Sequence, residues 1–191
     1  MQPALNKSLT LFELIIAISL LSVLVLAFYG MELFSRRQVV TSDRQALLQN
    51  EASLALEHMS KNVQQGVGNP ARRALANTAG NDGFSVFIEH NPATPTNPGD
   101  DLQVDYILQG NTLKCSVNNE TLSTHIVPGV DYINPLPAAN PAKGFYISFT
   151  DNFSVVEIGL VARFMPNIPV SLDNPQVVLK SRLYARSSAT R

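Results

Sequence analysis

Histidines and cysteine are the side chains with which this chain could carry out acid–base, nucleophilic or metal chemistry. The three histidines, His58, His90 and His125, are scattered and have no H-E-x-x-H or comparable metal-binding spacing. The single cysteine, Cys115, lies in a predicted strand with no nearby helix start that would acidify its thiol. The sequence contains no G-x-S-x-G motif and no phosphate-binding loop. We therefore predict that the protein is not an enzyme and has no cofactor. Cys115 is expected to be a buried apolar residue, and His58 a solvated surface residue.

Three aspartates, Asp100, Asp101 and Asp105, lie at and just after the end of a Pro- and Asn-rich stretch and are weak candidates for metal ligands. Carboxylate oxygens are the ligands that Ca²⁺ prefers in proteins. Oxygen ligands alone do not define a coordination site, however. The favoured interpretation is a solvated acidic loop with no resident metal.

Glu13 is a carboxylate at the edge of an apolar stretch long enough to span a membrane. The stretch from Leu14 to Met31 carries no formal charge, and a helix of about twenty apolar residues crosses a bilayer. A carboxylate is costly to place in lipid, so Glu13 is a functional candidate. However, Thr10-Leu11-Phe12-Glu13 also matches a capping box, in which the carboxylate only caps the first helical turn. The residues alone leave both interpretations open.

The apolar stretch is longer than the core of about 7–15 residues in a cleaved secretory signal. It continues into Glu32-Leu33-Phe34-Ser35-Arg36-Arg37 without a small-residue cleavage site. These features predict a retained transmembrane helix. Lys7 on one side and Arg36 and Arg37 on the other leave its orientation undetermined.

The helix is predicted to continue well beyond the membrane. Residues 31–65 contain neither glycine nor proline, so nothing obliges the helix to end before Gly66. One apolar stripe recurs here at helical spacing, and its members are Leu48, Ala52, Ala55, Leu56, Met59 and Val63. Such a stripe needs a cover, and we expect a β-sheet to supply it.

Downstream of the helix, short β-prone runs alternate with turn residues. The predicted strands are 84–88, 102–108, 112–117, 122–127, 145–150, 155–164 and 177–185. Residues 102–127 are expected to form an antiparallel meander, and 145–164 a hairpin with its turn at Asp151-Asn152. Pro- and Asn-rich stretches at 90–101, 134–143 and 166–176 predict surface loops. The expected fold class is α+β, with a long N-terminal helix packed on a C-terminal antiparallel β-sheet domain.

The composition of the chain limits its partners. Charged residues make up 15% of the 191 residues and the formal net charge is −1, whereas roughly 25% is usual for a soluble domain. No basic stripe is present, so nucleic acid is not an expected partner. A single cysteine excludes an internal disulfide and a cysteine-based zinc cluster.

The start of the chain reads Lys7-Ser8-Leu9-Thr10-Leu11-Phe12-Glu13-Leu14, followed by the apolar run. This pattern resembles the prepilin-type cleavage and methylation signal of type IV pilins and type II secretion pseudopilins. The resemblance implies that a prepilin peptidase cleaves between Ser8 and Leu9 on the cytoplasmic face and methylates Leu9. It also implies that Glu13 pairs with the N-terminal ammonium of a neighbouring subunit. Serine stands where glycine is usual before the cut, and leucine where phenylalanine is usual after it.

The resemblance implies a pilin-like fold in four parts. Residues 1–8 would be a leader, 9–31 a transmembrane and filament-core helix, 32–66 its amphipathic continuation, and 67–191 a globular β-rich domain. The implied partners are other pilin or pseudopilin subunits, the prepilin peptidase, the inner-membrane assembly platform and membrane lipid. The implied location is the bacterial inner membrane, followed by a periplasmic pseudopilus or a cell-surface pilus.

The helix stretch 55–63 is similar to that of PilW-like minor pilins and GspJ-like minor pseudopilins. The lack of a C-terminal disulfide also favours a minor subunit over a major pilin. The resemblance does not separate a type IV pilus from a type II secretion system. Two alternatives stay open: an adhesin or substrate-binding module that uses the β-domain loops on the same anchor, and an ordinary single-pass membrane protein in which Glu13 is a plain cap.

Overall fold

The N-terminal part of the protein is one long helix. The computed structural model describes residues 10–68, 72–90, 93, 99–132 and 143–188. Helix α1 spans Leu11–Gln65, which confirms the helix predicted from the absence of glycine and proline over 31–65. The predicted leader, 1–8, lies outside the described residues. The chain divides into two compact units, Met1–Val40 and Thr41–Arg191, so the unit that contains the β-sheets begins inside the helix.

The second unit contains eleven strands among its described residues. They are β1 (Val67–Gly68), β2 (Leu75–Asn77), β3 (Gly83–Ile88), β4 (Leu102–Gln109), β5 (Thr112–Cys115), β6 (Glu120–Ser123), β7 (Val130–Asp131), β8 (Phe145–Thr150), β9 (Val155–Arg163), β10 (Gln176–Tyr184) and β11 (Ser187–Ser188). All seven predicted strands are present, with boundaries shifted by a few residues. The short strands β1, β2, β7 and β11 were not predicted, because two or three residues carry too little alternation to be recognised.

The first sheet has the order β2-β3-β4-β5-β6, and every neighbouring pair in it is antiparallel. This confirms the meander predicted for the β4–β6 region. The predicted strand 122–127 is wrong at its end, because β6 stops at Ser123. The following residues leave the first sheet and bond to β9: Ile126 bridges Ala162, and the Val127 N–H donates to the Val161 carbonyl at 2.9 Å.

The second sheet has the order β10-β9-β8-β7. Strands β8 and β9 form the predicted antiparallel hairpin. Its turn contains Asp151, Asn152 and Phe153 with φ of 50°, 56° and 65°, a left-handed backbone that Asn and Asp tolerate better than most residues. Strand β7 joins β8 in parallel, and β1 pairs with β11 in parallel. These two parallel contacts could not be predicted from local patterns, because they join residues that are distant in sequence.

The core of the second unit lies between α1 and the inner faces of the sheets. The buried helix residues are Leu48, Ala52, Ala55, Met59 and Val63, which confirms the predicted stripe; Leu56 is half-buried at its margin. They belong to one cluster with residues from both sheets, among them Phe84, Tyr106, Phe145 and Leu160. The rings of Phe84 and Tyr106 stack with their centroids 5.1 Å apart. The fold is therefore α+β, with a long N-terminal helix packed on antiparallel sheets.

Candidate functional site

Glu13 and Thr10 form a complete capping box at the start of α1. The Thr10 N–H donates to Glu13 Oε2 at 2.9 Å, and the Glu13 N–H donates to Thr10 Oγ1 at 3.3 Å. The Thr10 hydroxyl lies 3.1 Å from the same Oε2, and the Thr10 carbonyl accepts from the Leu14 N–H. This arrangement satisfies N–H groups that the first turn leaves without helical partners. Among the described residues, no cation forms an ion pair with Glu13.

The helix that follows Glu13 is long and apolar enough to cross a membrane. None of the side chains in its most apolar eighteen-residue stretch is buried. The two serines in this region are satisfied within the helix, because the hydroxyls of Ser19 and Ser22 donate to the carbonyls of Ile15 and Ile18, each at 2.8 Å. In hydrocarbon every polar group must find such an internal partner. The N-terminal helix is therefore compatible with a transmembrane anchor.

Charged residues follow the apolar stretch directly. Arg36 Nη2 lies 2.5 Å from Glu32 Oε1 one helical turn away, and both side chains are exposed. Gly30, just before this pair, does not interrupt the helix, and a Cβ placed there would meet nothing within 4 Å. The change from apolar to charged residues marks the end of the segment that lipid could surround.

A carboxylate on α1 meets the last residue of β6 and a histidine just beyond that strand. Glu51 Oε2 lies 3.0 Å from His125 Nδ1 and also accepts from the Ser123 hydroxyl at 3.0 Å. The His125 ring stacks on Phe164 with 5.8 Å between the centroids, and the Arg44 guanidinium lies over the same Phe164 ring at 4.4 Å. This cluster fixes the helix to the end of the meander. The cluster could not be predicted from the sequence, because a Glu beside the apolar stripe carries no local signal for a partner that is distant in the chain.

A second polar contact joins α1 to the first sheet and corrects the prediction for His58. His58 was predicted to be a solvated surface residue, but only 32% of its side chain is exposed, and its Nε2 lies 3.6 Å from Glu120 Oε2. Its Nδ1 lies 3.1 Å from the Tyr106 hydroxyl, which also accepts from Asn62 Nδ2 at 2.6 Å. Burial raises the pKa of Tyr106 above its ordinary value. The prediction failed because His58 lies at the margin of the helix face that the sheet covers.

Glu51 and His58 are seven residues apart, about two turns, and therefore lie on the same side of α1. Their partners, Glu120 and His125, lie in β6 and two residues after it. A helix carboxylate thus meets a histidine just beyond β6, and a helix histidine meets a carboxylate in β6. These two contacts hold α1 in register with the meander. That role accounts for the four residue types without a bound ligand.

The three candidate metal-binding aspartates have other partners or no shared site. Asp101 forms an ion pair with Arg72, and Asp105 Oδ1 accepts from Gln103 Nε2 at 2.8 Å. Asp100 lies half-buried at the end of the loop. Within the part of the chain that the structure describes, no group of three or more His, Cys, Asp or Glu side chains could hold a metal ion.

Two of the remaining residues singled out from the sequence lie in the part of the chain that the structure describes. Cys115 is buried at the end of β5 with 1% of its surface exposed, which confirms the prediction, and burial raises the pKa of its thiol. His90 is exposed. Ser8 and Leu9, where the predicted cleavage and methylation fall, lie outside the described residues.

Comparison with known proteins gives no relative for this chain. No protein-family model, no curated protein and no solved structure matches it. The function of the chain is therefore inferred from its residues and their geometry.

Proposed function

We propose that this protein is a minor pilin or pseudopilin. In this proposal a prepilin peptidase cleaves after Ser8, methylates Leu9, and leaves a subunit that enters a type IV pilus or a type II secretion pseudopilus at initiation or at the tip. The subunit would be held in the bacterial inner membrane before assembly and exposed to the periplasm or the cell surface afterwards. The role is structural rather than enzymatic.

The observation that carries the proposal is the position of Glu13. The capping box satisfies hydrogen bonds around the carboxylate, but it does not neutralise the negative charge. A carboxylate that enters an apolar phase without a cation is costly and tends to take up a proton. The N-terminal ammonium of a neighbouring subunit would supply that cation in an assembled filament.

The capping box is compatible with the proposed cleavage. Both of its members, Thr10 and Glu13, lie after the proposed cut, so the mature chain keeps the helix start intact. The leader, 1–8, contains one charged residue, Lys7, so its removal changes the formal net charge from −1 to −1 − 1 = −2. The new ammonium at Leu9 would lie at the start of the same helix.

The packing of the second unit supports the proposal. The helix from Thr41 onward buries an apolar stripe against two sheets, so the second unit is a packed domain that needs no lipid. An apolar helical segment followed by such a domain suits a subunit that is stored in a membrane and then withdrawn from it.

An assembly assay tests the proposal. The tagged full-length chain would be expressed in a cell that makes the pilus or pseudopilus machinery, and the filaments would be sheared and purified. We expect the chain to co-purify with the filaments, and to stay in the inner membrane when the prepilin peptidase is absent. A chain that stays in the membrane of the peptidase-positive cell, while the other subunits are assembled, would contradict the proposal.

A further inference from the structure

Strand β10 is an edge of the second sheet. It is nine residues long and pairs with β9 along its whole length, and among the described residues no strand pairs with its other side. We call that other side the outer edge of β10. Proteins usually keep edge strands short or cover them, because an uncovered edge can accept a further strand. An edge of this length is therefore a candidate docking site for an extended segment.

The hydrogen bonds of β9 show which backbone groups of β10 face the outer edge. The Val161 N–H donates to the Gly144 carbonyl at 2.8 Å, so it points away from β10. Backbone groups of successive residues point to opposite sides of a strand, so Ala162 points towards β10, where its partner in the register is Val177. Every second residue from Val177 thus bonds to β9, and the residues between them, from Val178 on, turn their N–H and C=O groups to the outer edge.

The side chains of β10 differ between its two faces. Those on the inner face belong to the core of the second unit or pack against it, and they are Val177, Leu179 and Leu183. Those on the outer face are exposed, and they are Val178, Lys180, Arg182 and Tyr184. A strand added at the outer edge would continue both faces, with alternate side chains beside Leu179 and beside Lys180 and Arg182.

The part of the chain that contains β10 is basic. Residues 174–191 include no aspartate or glutamate, and their cationic residues are Lys180, Arg182, Arg186 and Arg191. The remainder, 1–173, therefore has a formal charge of −1 − 4 = −5. Glu157 of β9 lies 3.5 Å from Arg182 and offsets one of the positive charges. The outer edge of β10 thus lies in a basic part of a chain that is otherwise acidic, and such a site favours an acidic partner.

The charges of β10 argue against a second copy of this strand as the partner. Two β10 strands paired antiparallel about Lys180 or Ser181 would place Lys180 opposite Lys180 or opposite Arg182, and like charges at such positions are destabilising. Lysine on an edge strand commonly prevents association of this kind. A strand with aspartate or glutamate at these positions meets attraction instead, so the residues that repel a copy select an acidic strand.

We propose that the outer edge of β10 binds an extended acidic segment of another protein by strand addition. The segment carries acidic side chains opposite Lys180 and Arg182 and apolar side chains at the alternate positions, beside Leu179. Backbone hydrogen bonds hold the segment, and the charges select it. This site belongs to the second unit, and its binding does not depend on cleavage after Ser8 or on filament assembly.

Peptide binding to the full-length chain in mild detergent tests the proposal. The probe is a fluorescent peptide as long as β10, nine residues, in which valine and glutamate alternate, and the matched control peptide has lysine in place of each glutamate. At low ionic strength we expect the glutamate peptide to bind at least about tenfold more tightly by fluorescence anisotropy. It should also lower the deuterium uptake of backbone amides at 176–184, because amides bonded within a sheet exchange slowly.

Two variants separate strand addition from general attraction between charges. Val178→Pro removes an N–H that points to the outer edge and keeps the bonds to β9, so binding of the glutamate peptide should fall at least about fivefold. Lys180→Glu should weaken binding at least about tenfold. Lys61→Glu makes the same change in net charge at an exposed position of α1 and should leave binding within about twofold. Circular dichroism checks that each variant is folded.

Equal affinities for the glutamate and lysine peptides would overturn the proposal. Failure of both peptides to bind would overturn it too, and would leave the charges of β10 as a protection against association. Equal losses from Lys180→Glu and Lys61→Glu would reduce the binding to an effect of net charge. Unchanged deuterium uptake at 176–184 with the glutamate peptide bound would place the peptide elsewhere and contradict strand addition.

Discussion

Glu13 and Thr10 cap the start of helix α1 reciprocally: the Thr10 N–H donates to Glu13 Oε2 at 2.9 Å, and the Glu13 N–H donates to Thr10 Oγ1 at 3.3 Å. This geometry explains why a carboxylate is suited to this position in any helix. Glu13 contributes two distinct properties at this position: its side chain accepts hydrogen bonds, and it carries a negative charge. A substitution can remove the charge and keep the hydrogen bonds, or weaken the hydrogen bonds and keep the charge.

Glu13→Gln is expected to keep the cap and lose assembly. Glutamine can replace glutamate in a capping box, so the helix start should be preserved, but the charge that would pair with a neighbouring ammonium is gone. We expect incorporation into sheared filaments to fall at least about tenfold, the equivalent of about 1.4 kcal/mol. Quantitative immunoblotting of membrane and filament fractions measures this change.

Thr10→Ala is the matched control for Glu13→Gln. It removes the hydroxyl of the cap at a cost of about 1 kcal/mol to the helix start and keeps the carboxylate charge. This variant should still be incorporated. If Glu13→Gln assembles as well as the unchanged chain, Glu13 is only a cap and the pairing role is wrong.

The stripe on α1 is expected to dominate the stability of the second unit. Met59 is fully buried in the core cluster that contains residues of both sheets, so Met59→Ala should lower the free energy of unfolding by about 2–5 kcal/mol. Leu54→Ala, on the exposed side of the same helix, should change it by less than about 0.5 kcal/mol. Urea unfolding of the full-length chain in mild detergent compares the two. Similar losses from both variants would contradict the packing described for α1.

The contact between Glu51 and His125 should show measurable coupling. Their side chains are 30% and 22% exposed and lie 3.0 Å apart. A double-mutant cycle with Glu51→Ala and His125→Ala should give a coupling free energy of about 1 kcal/mol, the usual size for a side-chain hydrogen bond. The same cycle between Glu57 and His125, with Glu57 exposed on the helix, should give about zero. Equal coupling in the two cycles would rule out a specific contact.

The Cys115 thiol should be unreactive in the folded chain and should make stability depend on alkaline pH. Burial raises its pKa in the folded state, so the unfolded chain loses the proton first. The resulting stability is fully present below the unfolded value of about 8.5 and is lost as the pH rises through the folded value. At pH 8, Ellman's reagent should label Cys115 at least about tenfold more slowly than a surface thiol.

The comparison thiol for Cys115 is Ser53→Cys in a Cys115→Ala chain, because residue 53 is exposed on the helix. In that chain the loss of stability above pH 8.5 that Cys115 causes should disappear. Equal labelling rates for the two thiols would show that Cys115 is accessible in solution.

Much of the fold could be predicted because the signals are local. The apolar stripe at Leu48–Val63 follows the helical period, and the strands of the meander are bounded by Asn and Gly turns. The parallel contacts β1–β11 and β7–β8 could not be predicted, because they depend on the meeting of segments that are distant in the chain. The switch of residues 125–127 from the first sheet to β9 is of the same kind.

In the candidate site, too, the local features could be predicted from the sequence and the contacts between distant segments could not. The Thr10–Glu13 box was recognisable, since its two members are three residues apart. His58 was misplaced because its partner Glu120 comes from β6, and periodicity does not say how far a sheet extends around a helix. The composition of residues 166–176 predicts a surface loop, but only the structure shows that the buried Asn174 fixes it through hydrogen bonds to Met165, Ile168 and Pro169.

The most direct measurement of the central claim is the N-terminal mass of the mature chain. The full-length protein would be co-expressed with an active prepilin peptidase, and in parallel with an inactive one, and its N-terminal peptide analysed by tandem mass spectrometry. The proposal predicts a chain that begins at Leu9 with one added methyl group on its α-amine, and only with the active enzyme. A chain that retains residues 1–8 beside an active peptidase, which processes another prepilin in the same cells, would contradict it.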